Sequence, residues 1–265
     1  MNSKDLIKAG RLSDARKQLA EEVKAKPDDS RRRTLLFQVL AFYGEWNKAE
    51  QHLDVIGAQD VVADVAIQVY KNLIHAEKER TEVCKLKRRP SFLPKTPSYL
   101  ETYYAAQTKI GEQNIDEAKA LLDQVEAQRP VISGTVNGKS FTGFKDTDTF
   151  LSLFLEVIVH ERYVWIPFEA IREFAVSAPK MLFDLLWITA RLTTWDGLTM
   201  NCYLPVLYPN SFLHEDDRIK LGRMTAWISL GGQFTKGMGQ HIFQAGEEDI
   251  SILEIREALF NETRD

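Results

Sequence analysis

Five histidines, two cysteines and scattered carboxylates are the groups in this 265-residue chain that chemistry would call on first. Their spacing speaks against most of it. His52, His75, His160, His214 and His241 form neither a His-x-x-x-His nor a Glu-x-x-His pair, so no helix turns two ligands toward one metal, and no metal site is expected. Cys84 and Cys202 are far apart and outside any paired spacing, which gives neither a thiolate zinc site nor a disulfide framework and fits a reducing compartment. Cys202 sits in an apolar stretch with no neighbouring base to lower its pKa, so a buried structural thiol is expected. A Gly-x-Ser-x-Gly elbow for a serine nucleophile is absent.

Two further elements invite a chemical reading. Residues 231–239, Gly-Gly-Gln-Phe-Thr-Lys-Gly-Met-Gly, contain Gly-x-x-x-x-Gly from Gly232, but Met238-Gly239 stands where a phosphate loop needs Lys-Ser/Thr, and a strand rather than a helix follows. A flexible hairpin turn is the simpler reading, and a phosphate or small-molecule module on this turn is the alternative. The run Glu247-Glu248-Asp249 resembles a carboxylate cluster, yet acids in the first turn of a helix predicted over 250–260 explain it more simply through the helix dipole.

The elements that must position these groups begin with a repeat. Gly10-Arg11-Leu12-Ser13-Asp14-Ala15 lies over Gly44-Glu45-Trp46-Asn47-Lys48-Ala49, with Leu19 over Leu53, at an offset of 34 residues, the tetratricopeptide period. A third copy stands at Gln113-Asn114-Ile115-Asp116-Glu117-Ala118 with Leu122, about two periods further on, so a degenerate unit lies between. Gly10 and Gly44 suit a turn between antiparallel helices that requires positive φ. The alanine five residues later allows close helix crossing. Pro27 and Pro130 fall 12 residues after their alanines and stop the second helices, whereas Val61 occupies that place in the second copy. One or two helices are predicted over 61–83, followed by a proline-broken connector, 85–97, with Phe92 and Leu93 tucked against the array.

After Pro130 the pattern changes. Residues 131–143 alternate around Asn137-Gly138, a strong hairpin signal. A helix is predicted over 146–158, with Asp146 or Asp148 as its cap, and further helices over 168–174 and 250–260. Strands are predicted at 163–167, 199–204, 225–230 and 239–243. His214-Glu215-Asp216-Asp217 reads as a capping loop, and the tryptophans as core. The predicted fold class is α+β: a tetratricopeptide-like α-α superhelix over 1–130, then a smaller mixed α+β domain over 131–265 with a mostly antiparallel sheet.

Composition fits this picture. With 44% hydrophobic and 27% charged residues the chain can build packed cores, and its length suggests two, at roughly 100–200 residues per domain. Residues 1–130 carry 22 Lys/Arg against 20 Asp/Glu, and residues 131–265 carry 12 against 18, which disfavours nucleic acid as a partner of the second half. No run of about 18 apolar residues and no hydrophobic leader is evident, so a cytoplasmic protein without membrane contact is expected.

A longer series of motifs carries a resemblance. It comprises Ala76-Glu77-x-x-Arg80 with Pro90 and Phe92; Phe150; Leu155-Glu156-Val157-Ile158; Tyr163-x-Trp165-x-Pro167-Phe168; and Asp184-Leu185-Leu186-Trp187. Pro205-Val206-Leu207-Tyr208-Pro209-Asn210-Ser211, Leu221-Gly222-Arg223, Gly237-x-Gly239-Gln240 and Ile252-Leu253-Glu254-Ile255 complete it. Over nearly its whole length the chain resembles the ImpE family, also called TagJ or SciE-type virulence protein, accessory to bacterial type VI secretion. The resemblance implies a cytoplasmic, non-enzymatic adaptor without cofactor. It further implies binding to the N-terminal amphipathic helix of the small sheath subunit and a link to the ATPase that recycles contracted sheath. Contacts to such a partner are expected among Tyr43, Trp46, Arg80, Trp165, Tyr208 and Arg223.

Overall fold

A computed structural model describes residues 2–59 and 64–262. Seven helices come first: α1 (Ser3–Lys8), α2 (Leu12–Ala25), α3 (Ser30–Phe42), α4 (Trp46–Gln59), α5 (Asp64–Cys84), α6 (Leu100–Gly111) and α7 (Ile115–Glu126). The repeat is visible in the backbone. Gly10, Gly44 and Gln113 all take positive φ, at 76°, 63° and 61°. At each turn the same pair of hydrogen bonds closes the preceding helix: Gly10 N–H to Ile7 and Arg11 N–H to Leu6, Gly44 to Ala41 and Glu45 to Leu40, Gln113 to Ile110 and Asn114 to Lys109. Ala15, Ala49 and Ala118 are wholly buried at the helix crossings that follow. Between the second and third copies stands one long helix, α5; Val61, where the second copy lacks its proline, lies outside the described residues.

The connector touches the array through Arg88 and Arg89, which pair with Glu79 of α5 and Glu101 of α6, but its apolar end goes to the sheet. Its residues Ser91–Phe92 form β1, which pairs in parallel with Val164 and Trp165, and the Phe92 ring meets Phe154 and Trp165. The remaining strands are β2 (Ser133–Val136), β3 (Lys139–Thr142), β4 (Phe144–Asp146), β5 (Phe154–Val159), β6 (Arg162–Pro167), β7 (Ile171–Val176), β8 (Trp187–Thr194) and β9 (Thr199–Pro205). A one-turn helix, α8 (Asp217–Lys220), precedes β10 (Thr225–Gly231), β11 (Phe234–Gly239), β12 (Ile242–Ala245), β13 (Glu248–Ser251) and β14 (Glu257–Phe260). They build a nine-stranded sheet, β1-β6-β5-β9-β8-β7-β14-β2-β3, a ribbon β10-β11 and a three-stranded sheet β13-β12-β4. All pairings except β1-β6 are antiparallel. The α+β class with a mostly antiparallel sheet therefore holds. The Asn137-Gly138 hairpin forms as expected, with both residues at positive φ.

Three predicted helices are strands instead. Over 146–158 the chain ends β4, turns, and enters β5, five of whose six residues are buried, so both faces are covered. A strand covered on both faces loses its polar alternation, and its continuous apolar run then imitates a helical stripe. Asp148 still caps, accepting the amides of Phe150 and Leu151, but it caps a turn. Residues 168–170 make a single 3-10 turn before β7, and 250–260 hold the end of β13 and β14. Glu248 and Asp249 thus lie on an edge strand, and the dipole argument for them lapses. Buried apolar side chains form one connected cluster from Leu6 in α1 to Phe260 in β14, beside a small cluster of Ile110, Ala118 and Phe234.

Two glycines give opposite expectations. A Cβ on Gly44, at φ +63°, would stand 2.7 Å from the Phe212 ring, so Gly44→Ala should lower unfolding free energy by about 1–3 kcal/mol. Gly111 ends α6 with nothing within 4 Å of a Cβ, and Gly111→Ala should be neutral or stabilise by up to about 1 kcal/mol. Urea unfolding of both variants checks the contrast.

Candidate functional site

The densest collection of ionisable side chains lies inside the molecule, where α5 meets the sheet. Glu77 and Arg80 share one face of α5, three residues apart, and both are buried. The Arg80 guanidinium forks onto Glu156 of β5, donating Nε–H to Oε1 at 2.8 Å and Nη2–H to Oε2 at 2.5 Å. It also donates to the Leu207 carbonyl at 2.8 Å and to Glu77 at 3.3 Å. Glu77 receives the Trp187 indole N–H at 2.9 Å. Glu156 accepts in addition from the Tyr163 hydroxyl, itself bonded by Trp165 Nε1–H at 2.6 Å. On the far side His241 bridges two carboxylates, with Nε2 3.0 Å from Glu156 and Nδ1 2.7 Å from Asp146, while the Tyr208 hydroxyl donates to Asp146 at 2.7 Å.

Burial without partners would empty such groups of charge; here the partners hold it in place. Burial pushes the Glu156 carboxyl up, but Arg80 and His241 reverse that and take it to about 2. Burial pulls the His241 imidazolium down, and Asp146 and Glu156 more than offset this, raising it to about 9, so the ring is cationic at neutral pH. Arg80 is held above its ordinary value, since Glu156 and Glu77 outweigh its burial. Asp148 differs: burial and the neighbouring Asp146 lift it to about 7 despite the Gly237 and Phe150 amides that bond it.

Around this centre a seam runs along the three repeat turns, each touched by a segment of 208–235. Arg223 donates to the last carbonyls of α1, Lys8 and Ile7, both at 2.8 Å, and Asp217 accepts the Ser13 amide at the start of α2 at 2.7 Å. At the second turn Phe212 covers Gly44, and Trp46 packs on Phe212 and Trp187. At the third, Gly231 and Gly232 lie so close to Ile115 that a Cβ on either would meet it, and Gln113 bonds the Leu230 carbonyl.

The glycine-rich turn therefore closes on α7, and within 231–239 the Gly237 amide already serves Asp148.

The expected contact residues fall into two places. Arg80, Trp165 and Tyr208 belong to the buried network, with Arg80 only 3% exposed. Tyr43, Trp46 and Arg223 line the seam; Tyr43 bonds Ser13 at 2.8 Å and carries Arg16 and Lys220 over its ring. The sequence reading missed Glu156, His241 and Asp146 as Arg80's companions. One signal was available: Glu156 is a lone carboxylate inside Phe154–Val159, and a charge in so apolar a run requires a buried partner.

On another side a groove of about 720 Å³ opens between α7, β4 and the β12-β13 hairpin. Among the described residues no cluster of three or more His, Cys, Asp or Glu is arranged to hold a metal ion, and no helix is long and apolar enough to cross a membrane.

Helical hairpins joined by their turn edge to strands of an antiparallel half define a tetratricopeptide-like α+β fold. Comparisons carry this to a family. The model of the ImpE protein family matches residues 138–259. The type VI secretion system accessory component TagJ of Pseudomonas aeruginosa PAO1 is 34% identical over 263 residues, 99% of this chain and 92% of that protein. The chain belongs to the ImpE family. In fold it is also similar to the crystal structure of protein VPA1032 from Vibrio parahaemolyticus, at a TM-score of 0.88 and 19% identity, covering 98% of this chain and 97% of the other.

Two outcomes follow from the network. Arg80→Met leaves Glu77 buried without a cation and Glu156 with His241 alone, and should cost about 3–5 kcal/mol in urea unfolding. His241, whose folded pKa is raised, contributes stability that is complete below its unfolded value near 6.5 and is lost as pH rises through about 9. The stability difference between wild type and His241→Gln should accordingly shrink between pH 7 and pH 10, as read from urea midpoints.

Proposed function

We propose that the chain is a non-enzymatic adaptor of a type VI secretion system. In this reading it binds the N-terminal helix of the small sheath subunit in the cytoplasm and helps the associated ATPase to recycle contracted sheath. The observation that carries the reading is the 34% identity to an accessory component over 99% of the chain. Its architecture supports binding as the mode of action, because rigid arrays of helices offer long faces on which an amphipathic helix can lie.

Within this reading the expected contact residues divide. Arg80, Trp165 and Tyr208 hold the scaffold together from inside, whereas Tyr43, Trp46 and Arg223 keep part of their surface at the seam, where a partner could reach them. The boundary near residue 130 marks a change of architecture from helices to strands. The buried network and the seam tie the two parts, so we expect them to act together.

Calorimetric titration of the full-length protein with a synthetic peptide spanning the sheath subunit's N-terminal helix tests the proposal. Saturable one-to-one binding at micromolar affinity or tighter is expected. No heat with peptide at about 100 μM, an occupancy that even a weak specific site would register, would remove this partner.

A further inference from the structure

The ribbon β10-β11 leaves one long edge of its backbone open. Which groups face that edge follows from what β11 does on its other side. Gly239 donates its amide to the Ser211 hydroxyl and accepts the Tyr208 amide, and Gly237 donates to Asp148. Thr235 donates to the Thr149 hydroxyl and accepts the Thr149 amide. These three residues therefore turn away from β10. Their opposites in the ladder, Thr225, Trp227 and Ser229, turn away from β11, because the members of an antiparallel pair point inward or outward together. Among the described residues nothing bonds the main-chain amide or carbonyl of Thr225, Trp227 or Ser229; the Thr225 and Ser229 hydroxyls serve Gln240 and Gly231.

Open edges invite another strand, and folded proteins ordinarily shield them with charge, proline or brevity. Other edges here are shielded in that way. β1 has two residues, β3 opens on Lys139, and β13 opens on Glu248 and Asp249. β10 carries neither charge nor proline between Thr225 and Ser229, and its one register irregularity falls beyond Ser229. On its two faces Trp227 and Ile228 stay 43% and 46% exposed, although Trp227 also rests against the Tyr208 ring. Unpaired backbone and bare apolar side chains thus coincide on one short strand.

We propose that β10 pairs with β10 of a second copy of this chain, antiparallel about a two-fold axis at Trp227, so that the two ribbons become one continuous sheet. The strand suits itself as a partner. Its outward groups read the same in both directions, a hydroxyl residue on each side of Trp227. On the axis Trp227 opposes its own counterpart, and Thr225 opposes Ser229 of the second copy, each pair exchanging amide and carbonyl bonds. The two indoles then stand side by side on one face, while on the other Ile228 lies across from Ala226 of the second copy. No charge on the strand repels its twin, and none is there to select a charged strand instead.

The test compares full-length wild type with Ser229→Pro and Ile228→Lys. The proline removes an outward amide and sets its ring on the edge without breaking a bond between β10 and β11, and the lysine brings a charge against the second copy. Sedimentation of wild type up to about 100 μM should show a reversible dimer, and each variant should weaken it about tenfold or more. The urea midpoints of dilute protein should be alike. By hydrogen exchange the amides of Thr225, Trp227 and Ser229 should slow as wild type is concentrated, while those of Ala226 and Ile228, already in the ladder, should not change. A monomer at about 100 μM with those three amides exchanging freely would overturn the proposal. So would a dimer equally tight in both variants, since its contact would lie elsewhere. Slowing of the three amides only on addition of the sheath-subunit peptide would give the edge to a strand of that partner and overturn the second copy.

Discussion

The forked ion pair between Arg80 and Glu156 is the interaction on which the rest of this structure depends. Arg80 is in the one long helix of the array, and Glu156 is in a strand covered on both faces, so their meeting sets the distance and rotation of α5 over the sheet. Neither charge would survive there alone. A guanidinium and a carboxylate taken out of water need excellent geometry and their remaining donors and acceptors satisfied, and the structure meets both demands. Glu77, the Leu207 carbonyl, Tyr163 and His241 complete the coordination, and Trp187 and Asp146 extend it. Burial makes the geometry exacting, and that exactness is what such a pair supplies to a fold. Well-packed apolar residues would match its stability, but they would specify the register of helix on strand less sharply.

From this centre outward the seam becomes intelligible. The three repeat turns have the same backbone because each must reverse the chain between closely crossed helices, and equivalent turns stack along one edge of an array. The segment 208–235 follows that edge, presenting a guanidinium to the carbonyl end of the first helix, an aromatic ring to the bare glycine of the second turn, and its own glycines to Ile115 at the third. Each contact answers a local need: a helix end without partners, a glycine without a side chain, an isoleucine without cover.

Much of this was legible in the sequence and some was not, for physical reasons. The repeat showed itself because its turns require positive φ and its crossings require alanine, so Gly10, Gly44, Ala15, Ala49 and Ala118 stand at fixed spacing. The Asn137-Gly138 hairpin was equally plain, since few residues tolerate both of its turn positions. The strand β5 was not, because Phe150, Leu151, Phe154, Leu155 and Ile158 satisfy a helical stripe as well as they satisfy a doubly covered strand. Nor was the network, whose members lie 76 residues apart for Arg80 and Glu156 and 161 for Arg80 and His241, with no local pattern to join them. Arg80, Trp165 and Tyr208 were expected to contact a partner, and the structure places each of them inside the molecule. The groove beside α7 left no trace in the sequence, because its walls come from a helix, a corner strand and a hairpin far apart in the chain.

The central claim is that array and sheet form one cooperative unit, joined through Arg80 and Glu156. Native-state hydrogen exchange of the full-length protein measures this most directly. Slow amides of α5 and of β5 should exchange with the same free energy, equal to that of global unfolding, and should respond equally to urea. Exchange of the α5 amides through an opening several kcal/mol below that of β5, with the sheet still protected, would contradict it.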